Sequence, residues 1–167
     1  LRPGEYAMPT SRNKTRTVQF RCQDVRIFKD GQVVPHNMPL VTLRQADLVR
    51  LYIDNQKNGA RGSTMHHTAT TEAFCLVKAL ANRVHALHLI APQVPSLPIS
   101  LVPNTHHVTA TDITQAVQES VVLSGLLNSG YSPSCVSAHS LRASGAMAQK
   151  LNGVDGDLIM KLGRWSS

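Results

Sequence analysis

Apolar positions recur at every second residue in the first part of the chain and at every third or fourth from Thr71 onward, so the pattern places strands before helices. Pro3 and Glu5 suit the first turn of a short helix over residues 1–8, and Pro9 ends it. Ser11-Arg12-Asn13-Lys14-Thr15-Arg16 reads as a polar, basic loop. Val18, Phe20 and Cys22 point one way and predict a strand, and Val25 and Ile27 start a second short run. Lys29-Asp30-Gly31-Gln32 is a turn. Residues 33–46, with two prolines and no clear period, are expected to be loop. Val49, Leu51 and Ile53 alternate as the next strand. The turn-rich stretch Asn55 to Gly62 breaks it, and Ser63 to Thr68 returns as a strand, which puts Lys57 at a hairpin tip.

From Thr71 the period is helical. Phe74, Val77, Leu80, Ala81, Val84 and Leu87 mark one apolar face, with the preceding threonines as caps. Residues 91–107 are proline-rich and hold one short apolar run, Ile99 to Val102. Thr109 or Thr111 caps a further helix whose inner face is Ile113, Ala116, Val117, Val121 and Ser124, and Gly125 weakens its end. Ser129 to Pro133 is a turn. A helix is predicted from Ala138 to about Leu151, where Leu141, Gly145, Ala146 and Ala148 allow close packing and Asn152-Gly153 stops it. Asp155 to Leu162 is a last short helix carrying Leu158, Ile159 and Leu162, ended by Gly163. The expected fold class is α+β: a mainly helical domain with a small antiparallel sheet.

Composition narrows this picture. At 167 residues the chain is one domain's worth, and with 42% hydrophobic but only 4% aromatic residues its core is expected to be aliphatic. A net charge of +7 points to a polyanionic partner, nucleic acid before membrane. Arg12, Lys14, Arg16, Arg21 and Arg26 are either solvated charge or phosphate contacts. The three cysteines, widely spaced and without a CxxC, argue against a disulfide framework or zinc site and for a reducing, intracellular setting. No apolar run approaches membrane-spanning length. The chain opens on Leu1 and stops two residues after Trp165, which reads as a fragment of a longer protein.

The chemistry-bearing run is His139-Ser140-Leu141-Arg142, with Gly163-Arg164-Trp165 after it. Histidine and arginine three apart share a helix face and together can grip one anion. Arginine offers a planar, permanent cation that matches phosphate, and histidine adds a hydrogen bond and proton transfer. The run sits at a helix N-terminus, where free N–H groups favour an anion. Such a run also arises by chance on helix surfaces. The His66-His67 and His106-His107 pairs invite a metal reading. Neighbours in a strand face opposite ways, however, and no carboxylate or cysteine completes a set, so a polar surface or DNA-backbone role is preferred.

Taken in order, Leu1-Arg2-Pro3-Gly4-Glu5, Lys57 between two strands, His139-Ser140-Leu141-Arg142 and Leu162-Gly163-Arg164-Trp165-Ser166-Ser167 resemble the catalytic domain of the tyrosine recombinase (phage integrase) family. The resemblance covers nearly the whole chain, 1–167, as a catalytic domain truncated at both ends. It implies that Arg2 and Arg142 clamp the oxygens of one scissile phosphate and stabilise its five-coordinate transition state. His139 would bond the same phosphate, Trp165 would donate its indole N–H, and Lys57 would be the general acid on the departing 5′-oxygen. Glu5 would brace the site backbone or Arg2. Because the arginines supply the charge, no metal or other cofactor is implied. The implied function is site-specific cleavage and rejoining of double-stranded DNA through a 3′-phosphotyrosyl link, in the integration or excision of a mobile element, by a homo-oligomer, a tetramer, on DNA.

Two departures qualify the resemblance. The family's nucleophilic tyrosine comes shortly beyond the position of Trp165. Tyr6, Tyr52 and Tyr131 do not hold that place, so the chain as it stands is expected not to cleave DNA alone. The family's N-terminal DNA-clamping domain and first catalytic helices are not represented. The rivals are a type IB topoisomerase-like enzyme with the same constellation, a catalytically inactive DNA-binding relative, and a generic basic helical domain.

Overall fold

The computed structural model describes residues 3–8, 19–55, 61–102 and 106–165. It is α+β, with a four-stranded antiparallel sheet of order β2-β1-β3-β4. The strands are β1 (Val25–Lys29), β2 (Gln32–Val34), β3 (Leu48–Asn55) and β4 (Arg61–Thr68). The β1–β2 hairpin turns through Asp30 and Gly31, both at positive φ (50° and 76°). This is the turn geometry whose twist matches the strands it joins, and it favours an Asp-Gly pair. Asp47 holds the turn by accepting the Asp30 amide at 2.6 Å.

Among the described residues six α-helices accompany the sheet: α1 (Pro3–Tyr6), α2 (Leu40–Leu43), α3 (Leu76–Ile90), α4 (Ala110–Leu123), α5 (Ala138–Leu151) and α6 (Gly156–Gly163). Odd-numbered residues of β1 and β3 (Val25, Ile27, Val49, Leu51 and Ile53) are buried under Val77, Leu80, Ala81 and Val84 of α3, and together these form the core. Burial of each such Val or Leu side chain stabilises by about 1.5–3 kcal/mol. No helix among the described residues is long and apolar enough to cross a membrane.

Several expectations are corrected. Val18 lies outside the described residues, and the strand expected through Phe20 and Cys22 is instead a coil leading into a 3₁₀ turn, Cys22–Asp24. The Asp24 carboxylate accepts both the Arg21 amide and the Arg21 guanidinium at 2.9 Å, which closes the turn before a ladder can form. Phe20 and Cys22 are still buried, bonded through the backbone to Ile99 and Leu97. Residues 33–46 are not all loop, since they contain the end of β2 and the whole of α2, elements too short to show a period. Phe74 does not join the inner face of α3. It is 98% exposed, because the helix starts at Leu76 with Cys75 rather than a threonine as its N-cap. Ala116 is exposed rather than inward on α4, where Val121 is the buried residue.

The later helices start close to where they are predicted, for local reasons. Thr109 and Asp112 form a reciprocal capping box on α4: the Thr109 hydroxyl accepts the Asp112 amide at 3.1 Å, and Asp112 accepts the Thr109 amide at 2.7 Å. Ser137 precedes α5, its amide donating to the Ser140 hydroxyl at 2.9 Å. Asp155 caps α6 by accepting the amides of Asp157 and Leu158. Gly163 does not end α6 as expected. It is the last helical residue, and Arg164 takes the left-handed conformation at φ 53°.

Candidate functional site

The end of α6 is where distant parts of the chain meet. Arg164 adopts a backbone conformation that costs a non-glycine residue roughly 1–2 kcal/mol. Its amide and that of Trp165 bond back to Lys161 and Met160, which folds the chain over the helix end. The Arg164 guanidinium reaches Glu5 of α1, with one nitrogen 2.8 and 2.6 Å from the two carboxylate oxygens. Glu5 is 1% exposed and is among the few buried charged residues. Backbone bonds place it there, since Phe20 donates to the Glu5 carbonyl and Met8 donates to Val108. The brace expected of Glu5 is to the site backbone or to Arg2; Arg2 lies outside the described residues, and the bond seen is to Arg164.

This fold-over brings Trp165 against α5. The Arg142 guanidinium lies 4.5 Å over the Trp165 ring and donates to the Gly163 carbonyl. A cation stacked on an indole face gains about 0.5–2 kcal/mol and has its plane fixed. Gly163 makes the arrangement possible, because a Cβ at that position would fall inside the indole. Arg142 and Trp165 share the wall of a cavity of about 230 Å³ with His67, Met65, Gln149 and Leu162. Pockets for drug-sized ligands run to roughly 300–1,000 Å³, so this one suits a small group. Its largely apolar lining strengthens any charge interaction inside it.

His67, expected at a polar surface or on the DNA backbone, instead lines the cavity. It stands on the core side of β4 while its neighbour His66 is exposed on the other side. The opposite orientation of the pair was legible from strand alternation; the α5–α6 wall that His67 faces was not. Its Nε2 is buried without a hydrogen-bond partner among the described residues. Burial, with His66 adding to it, pushes its pKa below the usual histidine value and holds the ring neutral.

The other predicted residues are placed less fully. His139 is exposed on the first turn of α5 and does not line the cavity. Arg2 and Lys57 lie outside the described residues, as do Arg12, Lys14 and Arg16, while β3 and β4 pair as far as Asn55 with Arg61. None of the three tyrosines lines the cavity. Tyr52 and Tyr131 are exposed, and Tyr6 has its phenol pKa raised, first by burial and then by the Glu5 charge, which keeps it protonated. Among the described residues no three His, Cys, Asp or Glu side chains gather to hold a metal. Cys22, Cys75 and Cys135 are free thiols.

No family model, curated protein or solved structure matches the chain. The site therefore rests on its own geometry and on the order of its motifs.

Proposed function

We propose that this chain is the phosphate-gripping part of a DNA strand transferase of tyrosine recombinase type, with a fold of that kind. One observation carries the reading. Arg142 and Trp165, 23 residues apart, are stacked on each other at the wall of one small cavity, in the motif order His139-x-x-Arg142, then Gly163-Arg164-Trp165. In this reading Arg142 presents its fork to two non-bridging oxygens of a scissile phosphodiester. Its charge balances the extra negative charge of the five-coordinate transition state. Trp165 holds the guanidinium plane and turns its indole N–H to the same group. Glu5, through Arg164, keeps Trp165 in place and acts as a positioning residue.

Arg2 is assigned the second clamp and Lys57 the proton for the leaving 5′-oxygen, both by resemblance. His139, one helical turn before Arg142, completes the phosphate contacts when DNA lies across α5. The partner is double-stranded DNA, bound by a homo-oligomer. A second reading is a DNA-binding relative without strand cleavage, and the two are separated by whether a tyrosine follows Trp165 in the reading frame.

The test is a covalent-adduct assay on nicked duplex DNA, using the longest chain that the reading frame past Ser167 encodes. A phosphotyrosyl adduct is expected, formed by a tyrosine lying shortly beyond Trp165. Arg142→Ala should abolish it while leaving most DNA affinity, because affinity is spread over many phosphates. Normal cleavage by that variant would remove Arg142 from the clamp. A reading frame with no such tyrosine would select the non-cleaving relative.

A further inference from the structure

The sheet face turned away from α3 carries a row of side chains that the cavity does not use. Strand register sets Arg26 of β1 opposite Arg50 of β3, and Arg50 opposite His66 of β4. They alternate with the inward-facing Val25, Ile27, Val49 and Leu51, so all three stand on one surface. Like charges directly opposite each other destabilise a sheet. Asp24 and Asp54 border the same recess, but both are turned to Arg21. Asp24 receives two guanidinium bonds from it, at 2.9 and 3.1 Å, and Asp54 lies 3.5 Å away. Among the described residues neither Arg26 nor Arg50 has an ion-pair partner.

Arg50 is also held ready. Its guanidinium lies 4.9 Å over the Phe28 ring, and its Nε–H is buried with no acceptor among the described residues. A recess of about 390 Å³ opens there, with Arg26, Arg50, Tyr52 and Thr64 on its wall. What fits is an anion with several acceptor oxygens, since a guanidinium fork bonds phosphate through two parallel N–H groups. Interstrand spacings of about 4.8 Å make the row from Arg26 to His66 roughly 10 Å long, more than one phosphate spans. The chain's charge of +7 favours a polyanion.

We propose that the open face of the sheet is a second nucleic-acid contact, in which Arg26 and Arg50 together take up backbone phosphate and His66 extends the track across β4. It lies on the opposite side of β4 from the Arg142 cavity, because His66 and His67 face opposite ways. It holds whether or not the chain cleaves DNA.

The experiment is a titration of a fluorescently labelled duplex with the chain at several salt concentrations. The Arg26→Gln/Arg50→Gln double variant should bind about tenfold more weakly near 0.1 M salt, with the slope of log K against log salt smaller by about 1.8, or 0.9 for each phosphate released. Each single variant should show about half that slope change. The melting temperature of the double variant should stay level or rise, because the repulsion has gone. Unchanged affinity and slope would overturn the proposal. So would calorimetry showing that the two arginines affect binding of inorganic phosphate but not of duplex. Arg142→Ala in the same titration should keep the parent slope within one phosphate contact, so a failure of this site and a failure of the strand-transfer reading give different results.

Discussion

The ion pair between Glu5 and Arg164 joins residues 159 positions apart, and it makes a sharp quantitative prediction. The two side chains are 1% and 12% exposed, so this is a buried pair rather than a surface one. A surface pair would contribute about 0–1 kcal/mol. Removing one member of a buried pair strands the other in a poor solvent and costs about 3–5 kcal/mol. Glu5→Ala takes the carboxylate from the Arg164 guanidinium while that arginine still holds the left-handed turn, so a loss in that range is expected. Arg164→Ala should also destabilise, because it takes one guanidinium from the buried Glu5 carboxylate. The double variant should cost clearly less than the sum of the two, with a coupling of about 2–3 kcal/mol. Urea unfolding followed by tryptophan fluorescence reads this directly, because Trp165 is the sole tryptophan in the chain and sits next to the pair. In the single variants the emission should shift to longer wavelength even before unfolding, as the indole leaves Arg142. A coupling below about 0.5 kcal/mol, the scatter expected of independent sites, would refute the view that this pair holds the site together.

Two further outcomes are expected. Gly163→Ala should displace the indole, because the new methyl occupies its place; a cost of about 1–3 kcal/mol for overpacking and a red-shifted Trp165 emission are the measurements, and an unchanged spectrum would contradict the packing. Burial lowers the pKa of both His36 and His67 below the usual value near 6.5, so below that pH the unfolded chain binds more protons than the folded one. Stability should then be level above about pH 6.5 and fall as the pH drops through the histidine range, a trend that urea midpoints measure and that a His36→Gln/His67→Gln variant should flatten.

The regular elements were legible wherever a side-chain period ran for several residues. Val49, Leu51 and Ile53 announced β3, Asp30-Gly31 announced a turn though not the strand that follows it, and the small residues from about Ala138 to about Leu151 marked α5. Where the period was short, the reading failed. Phe20 and Cys22 alternate like a strand, yet Asp24 captures the Arg21 amide and side chain and turns the chain before a ladder forms. Phe74 fits the helical spacing of α3 but precedes its first turn, and spacing alone cannot tell a helix from the segment that leads into it. The pairing of Glu5 with Arg164 had no local signal at all, because nothing in either motif refers to the other.

The structure also shifts where the weight of the motif falls. The histidine and arginine three apart on α5 look like the unit of function in the sequence, but His139 is exposed while Arg142 turns inward to Trp165. The unit that the fold builds is Arg142, Gly163, Arg164, Trp165 and Glu5. Arg142 brings the cation and Gly163 the space for the indole. Arg164 makes the left-handed turn and anchors it, Trp165 gives the stacking plane, and Glu5 is the buried counter-charge. Such an assembly fixes a guanidinium before any ligand arrives, so less ordering cost falls on the binding step. A motif of this kind cannot be tested by asking whether its charges bind DNA, since many other charges in a basic chain do that. It is tested by whether substitutions that leave the charge intact, such as Gly163→Ala, remove the proposed strand transfer.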